Sequence, residues 1–119
     1  MEKIFKIITL PKIFDPRGSL TVVEQMIHIP FEIKRANWLY SFSSNKQISL
    51  DTQENEYKLL VPLNGSFFAS IKKEASEKAV LLNHPFQGLL LYPTTHCELK
   101  NFSYGAVCLS LSSACSNLT

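Results

Sequence analysis

The stretch YKLLVPLNGSFFASIK, residues 57–72, decides the fold class. Two apolar runs, YKLLVPL and SFFASIK, flank Asn64-Gly65. Each run is too short for a stable helix but has the length of a strand. An Asn-Gly pair tolerates the left-handed backbone of a tight turn, so these residues predict a β-hairpin. Pro62 lies inside the first run and brings no N–H to a ladder. It predicts an edge position or a bulge at that point.

The same pattern continues in both directions. KIFKIITL and SLTVVE precede the hairpin, and FEIKRANWLYSF carries Trp38, Tyr40 and Phe42 on one face at period two. KAVLLN, GLLLYP, CELKNF and GAVCLSLSS follow it at regular spacing. The breaks between them have turn chemistry: Asp15-Pro16-Arg17-Gly18, the polar loop 72–77, His84-Pro85 and Ser103-Tyr104-Gly105. No amphipathic helix competes. Many short strands at such intervals predict an all-β sandwich or barrel, whose interior is the default ligand site.

Length and composition agree. The 119 residues suit one domain, 1–119, and 45% hydrophobic with 18% charged residues suits a globular chain rather than a disordered one. A net charge of +2, with no basic run interleaved with aromatics, argues against a nucleic-acid partner. The apolar runs are too short to span a bilayer, and MEKIFKIITLPK lacks the features of a signal peptide. Cys97, Cys108 and Cys115 show no metal spacing, and an odd count argues against a disulfide framework. Reduced cysteines in a cytoplasmic protein are expected.

Three kinds of site chemistry are conceivable. A metal would need histidines and carboxylates converging from two strands. Only His28, His84 and His96 are available, and none forms an HxH or HxxxH pair, so no metal is expected. Acid–base work would fall to Asp51, Glu54 and Glu56, which cluster before a strand, with Tyr40 as proton donor or oxyanion holder. Desolvation in an apolar interior would raise the pKa of Asp51. The competing reading is a solvated loop at a strand end, and spacing alone favours it. DPRGS presents Arg17 from a turn suited to gripping a phosphate, against the simpler reading of a surface arginine. Cys97 and His96 are neighbours on a strand and so face opposite sides, which argues against a cysteine nucleophile.

PKIFDPRGSLTVVEQ, HIPFEIKRANWLY, LVPLNGSFFASI, LLNHPFQGLLLYP and NFSYGAVCLSLSS together resemble the WxcM-like sugar 3,4-ketoisomerases. That resemblance runs from about Lys6 to Ser113. It implies a cupin-type β-barrel, or jelly roll, without metal or other cofactor. It implies a homodimer, often with exchanged N-terminal strands, acting on dTDP-4-keto-6-deoxyglucose for bacterial surface glycans such as O-antigen. The family carries an Arg-Gly-Gly-His-Ala-His-Lys stretch where this sequence has Ile48-Ser49-Leu50-Asp51-Thr52-Gln53-Glu54. Asp51 and Gln53 then stand at the two catalytic histidine positions. Tyr40 and Arg17 match a pocket tyrosine and an arginine near the nucleotide. His96 and Cys97 replace a tryptophan and a basic residue, and His96 is expected to contact the substrate along with Arg17 and Tyr40. The expectation is a binder of a dTDP-linked hexose whose isomerase activity is lost or altered. The alternatives are an active isomerase or epimerase using Asp51, Tyr40 and His96, and a structural protein with a closed pocket. Asp51 and Gln53 are expected to share one strand face and point into the barrel near Tyr40.

Overall fold

A computed structural model describes residues 4–15, 18–40 and 45–114. The described residues contain eleven strands and no helix. In chain order these are β1 (Phe5–Thr9), β2 (Lys12–Asp15), β3 (Gly18–Thr21), β4 (Arg35–Leu39), β5 (Ile48–Ser49) and β6 (Lys58–Asn64). Then come β7 (Phe67–Lys73), β8 (Ser76–Leu82), β9 (Gln87–Leu91), β10 (His96–Lys100) and β11 (Val107–Ser112). A five-stranded sheet runs β1-β9-β6-β11-β4, a four-stranded sheet runs β5-β10-β7-β8, and β2 pairs with β3. Every ladder is antiparallel.

The core between the two large sheets gathers Leu60, Leu89 and Cys108 from one and Phe67, Ile71, Cys97 and Leu99 from the other. A second cluster covers the outer face of the five-stranded sheet. There Leu59, Val61 and Leu90 meet Leu10, Ile29 and Phe31. Burial on both faces explains why KLLV is a continuous run rather than an alternating one.

The Asn64-Gly65 turn departs from expectation. β6 and β7 do not pair with each other but belong to different sheets, so the turn is a corner between layers. Gly65 has a φ of 71°, and a Cβ there would lie 2.5 Å from Ser103 Oγ. Ser66 N donates to that same Oγ at 2.8 Å, and Ser103 N donates to Ser66 O at 2.9 Å. β7 pairs instead with β8, in a two-residue hairpin closed at Glu74-Ala75, where Glu74 adopts a φ of 52°.

Other expectations fare variously. Pro62 sits where β6 has stopped pairing with β9 and beside a register shift against β11, as its missing donor requires. β2 and β3 pair as a hairpin with Asp15 opposite Gly18, as the turn at 15–18 predicted. FEIKRANWLYSF is not one long strand. Phe31 and Ile33 leave the ladder to pack on the outer cluster, and β4 keeps five residues. Among the described residues the two large sheets do not close into a barrel by hydrogen bonds. The chain crosses between them after β4, and again at 65–66, 83–86, 92–95 and 101–106, where the ladders are interrupted.

Candidate functional site

β5 pairs with β10, and the pairing extends past its end. Leu50 N donates to Cys97 O at 2.8 Å and Thr52 N donates to Thr95 O at 2.9 Å. Ile48 and Leu50 pack against the core between the sheets. Thr52 is only 5% exposed. Its hydroxyl donates to Tyr92 O at 2.7 Å and accepts from Thr95 N at 2.8 Å.

That alternation leaves Asp51 and Gln53 exposed, the reverse of the expected orientation. The inward positions are the even-numbered ones, because Ile48 and Leu50 supply the apolar face that the core requires. Asp51 is held from the side. Its Oδ1 lies 2.7 Å from His96 Nδ1 and accepts from Cys97 N at 3.1 Å, while its carbonyl accepts from Lys58 Nζ at 2.9 Å. The carboxylate and imidazole are both about half exposed. The partners of Asp51 are thus His96 and a backbone amide, not Tyr40 or Gln53.

Residues 53–56 form a turn. Gln53 N donates to Glu56 Oε1 at 2.8 Å, and Glu56 N donates to Gln53 O at 3.1 Å. Glu56 is buried and its Oε2 accepts from Ser112 Oγ at 2.6 Å. The strand-end loop reading therefore describes 53–55, while Glu56 belongs to the interior. Tyr40 is 67% exposed just beyond β4. Arg17 lies outside the described residues, as do Phe42 and Cys115.

Cys97 is buried, and desolvation, assisted by the Asp51 carboxylate, pushes its thiol up to about 12 despite the opposing field of Lys58. A thiol that stays protonated is no nucleophile near neutral pH. Cys108 is likewise pushed up to about 12, by burial first and Cys97 second. Among the described residues no group of three or more His, Cys, Asp or Glu side chains is arranged to hold a metal ion. No helix among them is long and apolar enough to cross a membrane. A cleft of about 360 Å³ on the outer face, lined among others by Met26, His28, Leu90 and Tyr92, includes none of the expected site residues.

Two functional-looking residues escaped the sequence reading. Lys58 opens an apolar strand and is 7% exposed, and Arg35 has its Nε buried. Their signal was period two: Glu56, Lys58 and Leu60 share a face, and Leu60 is core.

An antiparallel double-sheet fold of this kind is shared with sugar-nucleotide isomerases. QdtA, a sugar 3,4-ketoisomerase from Thermoanaerobacterium thermosaccharolyticum solved in complex with TDP, matches with a TM-score of 0.92 and 31% identity, over 98% of this chain and 85% of that one. WlaRB, a TDP-quinovose 3,4-ketoisomerase from Campylobacter jejuni, matches with a TM-score of 0.90 and 32% identity, over 97% and 88%. The TDP-4-oxo-6-deoxy-alpha-D-glucose-3,4-oxoisomerase of Aneurinibacillus thermoaerophilus is 31% identical over 108 residues, 91% of this chain and 78% of that protein. The family model described as FdtA, WxcM-like, C-terminal, matches residues 3–117. The chain belongs to that family.

Proposed function

We propose that this protein binds a dTDP-linked 4-keto-6-deoxyhexose and that the ketoisomerase chemistry of its relatives is altered or lost in it. The binding half rests on relatives solved with TDP and with TDP-4-keto-6-deoxyglucose. The chemical half rests on one observation: Gln53 cannot titrate and lies exposed on a turn, while Asp51 is committed to His96 and Cys97 N. A 3,4-ketoisomerisation needs a base at C3 and an acid at C4, roles that suit groups with pKa near neutrality. The pathway context implied is deoxysugar synthesis for surface glycans, in the cytoplasm, by a homodimer with exchanged N-terminal strands and no metal or other cofactor. Arg17 and Tyr40 are assigned to the nucleotide sugar.

The Asp51–His96 pair favours a second reading. A carboxylate 2.7 Å from Nδ1 orients an imidazole and leaves Nε2 for proton transfer. His96 would then be the base of an active isomerase, with Asp51 positioning it. Thermal shift with TDP tests binding, and NMR analysis of products from TDP-4-keto-6-deoxyglucose tests turnover. No turnover supports the first reading. Turnover abolished by His96→Gln establishes the second. No shift with TDP overturns both.

A further inference from the structure

One rung of the five-stranded sheet carries Arg35, Ser112 and Lys58 side by side, since Ser112 is the ladder partner of both others. All three share the inner face. Lys58 alternates with Leu60, Ser112 with Cys108 and Arg35 with Leu39, and those three pack in the core between the sheets. The rung is thus two cations flanking a hydroxyl inside the sandwich. Lys58 Nζ donates once, to Asp51 O. The buried Nε of Arg35 has no hydrogen-bond partner among the described residues. No carboxylate of the described residues lies within ion-pair distance of either cation. The acid at hand, Glu56, is engaged by Ser112 Oγ and Gln53 N, both neutral donors. The Asp51 carboxylate is likewise engaged, by His96 and Cys97 N, so neither cation of the rung has an ion-pair partner among the described residues. Buried charge without a partner is costly, and an orphaned buried donor is rare.

We infer that Arg35, Lys58 and Ser112 form an oxyanion subsite between the sheets, built for a phosphate or carboxylate group of the bound ligand. A guanidinium Nε–H and a lysine ammonium are the donors that such groups accept most strongly. The subsite rests on the reading above in one respect, that its natural occupant is an acidic group of a sugar nucleotide. It places that group beside the 51–53 segment, since Lys58 also holds the Asp51 carbonyl.

The test is calorimetric titration of inorganic phosphate, TDP and thymidine into wild type, Lys58→Met and Arg35→Gln, at constant ionic strength set with sodium chloride. Phosphate should bind wild type, and either substitution should weaken it about tenfold or more, the worth of a lost hydrogen bond to a charged group. Thymidine affinity should not change. TDP that displaces phosphate identifies the diphosphate as the occupant; TDP that binds beside phosphate overturns that assignment, since a 4-keto-6-deoxyhexose carries no acidic group of its own. Lys58→Met deletes the donor to Asp51 O as well as the charge, so its melting temperature is recorded before titration to establish that the variant is folded. If it does not fold, Arg35→Gln, at a half-buried position, carries the test. Phosphate binding equal in all three proteins, or indistinguishable from chloride, overturns the subsite. Failure of TDP to bind while phosphate does overturns only the nucleotide-sugar reading.

Discussion

Thr52 has one hydroxyl hydrogen and uses it on Tyr92 O, while its oxygen accepts from Thr95 N. Both partners are backbone groups that valine cannot satisfy. Thr52→Val should therefore cost about 1–3 kcal/mol of stability, from the desolvated amide and carbonyl left behind, as measured by urea denaturation. A neutral result would mean that the 92–95 turn relaxes to water. The thiols of Cys97 and Cys108 offer a second check at this scale. Both are pushed up to about 12 by burial, above the ordinary 9.0. Raised folded-state values mean that the folded form holds its protons longer than the unfolded form. Their contribution to stability is full below pH 9 and fades as pH rises from 9 towards 12. Iodoacetamide at pH 8 should leave both unlabelled in the native protein and label both in urea, by peptide mass mapping. Labelling of native Cys97 would mean that the interior opens.

At the scale of elements, the strands were legible and their partnerships were not. Alternation and turn residues located the segments that became β1 and β6 to β11, because period two and turn chemistry are local properties. Asn64-Gly65 shows the limit. A tight turn can either zip its flanking strands or send them to different sheets, and only contacts remote in sequence, Ser66 with Ser103 and Asn64 with Gly105, choose between these. The faces of residues 48–53 were misassigned for the same reason. Which parity points inward depends on Ile48 and Leu50 finding the core, and nothing within DTQENE reports that. Gly65 gives the prediction for this scale. Alanine there would need a left-handed backbone and a Cβ 2.5 Å from Ser103 Oγ and 3.0 Å from Ala106 Cα. Gly65→Ala should destabilise by roughly 1–3 kcal/mol, the usual cost of such backbone strain. An unchanged melting temperature would mean that the corner shifts freely.

At the scale of the whole molecule, the surface carries apolar groups that one chain does not cover. Trp38 sits opposite Leu109 on the outer face of β4, an edge strand, and Trp38 and Tyr40 are both exposed, as are Met26 and Ile27. β2 and β3 pair only with each other among the described residues, with Ile13 exposed. Exposed aromatics beside an open sheet edge are what a partner chain buries, and edges left bare invite pairing. The homodimer proposed above would cover both features, with one chain's edge receiving the other and exchanged N-terminal strands joining a second sheet. Interface tryptophans commonly dominate such contacts. Sedimentation of the wild type at micromolar concentration should give the mass of two chains. Trp38→Glu should raise the dimer dissociation constant by about tenfold or more, because it replaces a buried aromatic with a charge that loses its water. The monomer should keep its strand signature by circular dichroism, since Trp38 lies outside the core between the sheets. A wild type that sediments as one chain, or a Trp38→Glu variant that dimerises as tightly, would remove this face from the assembly.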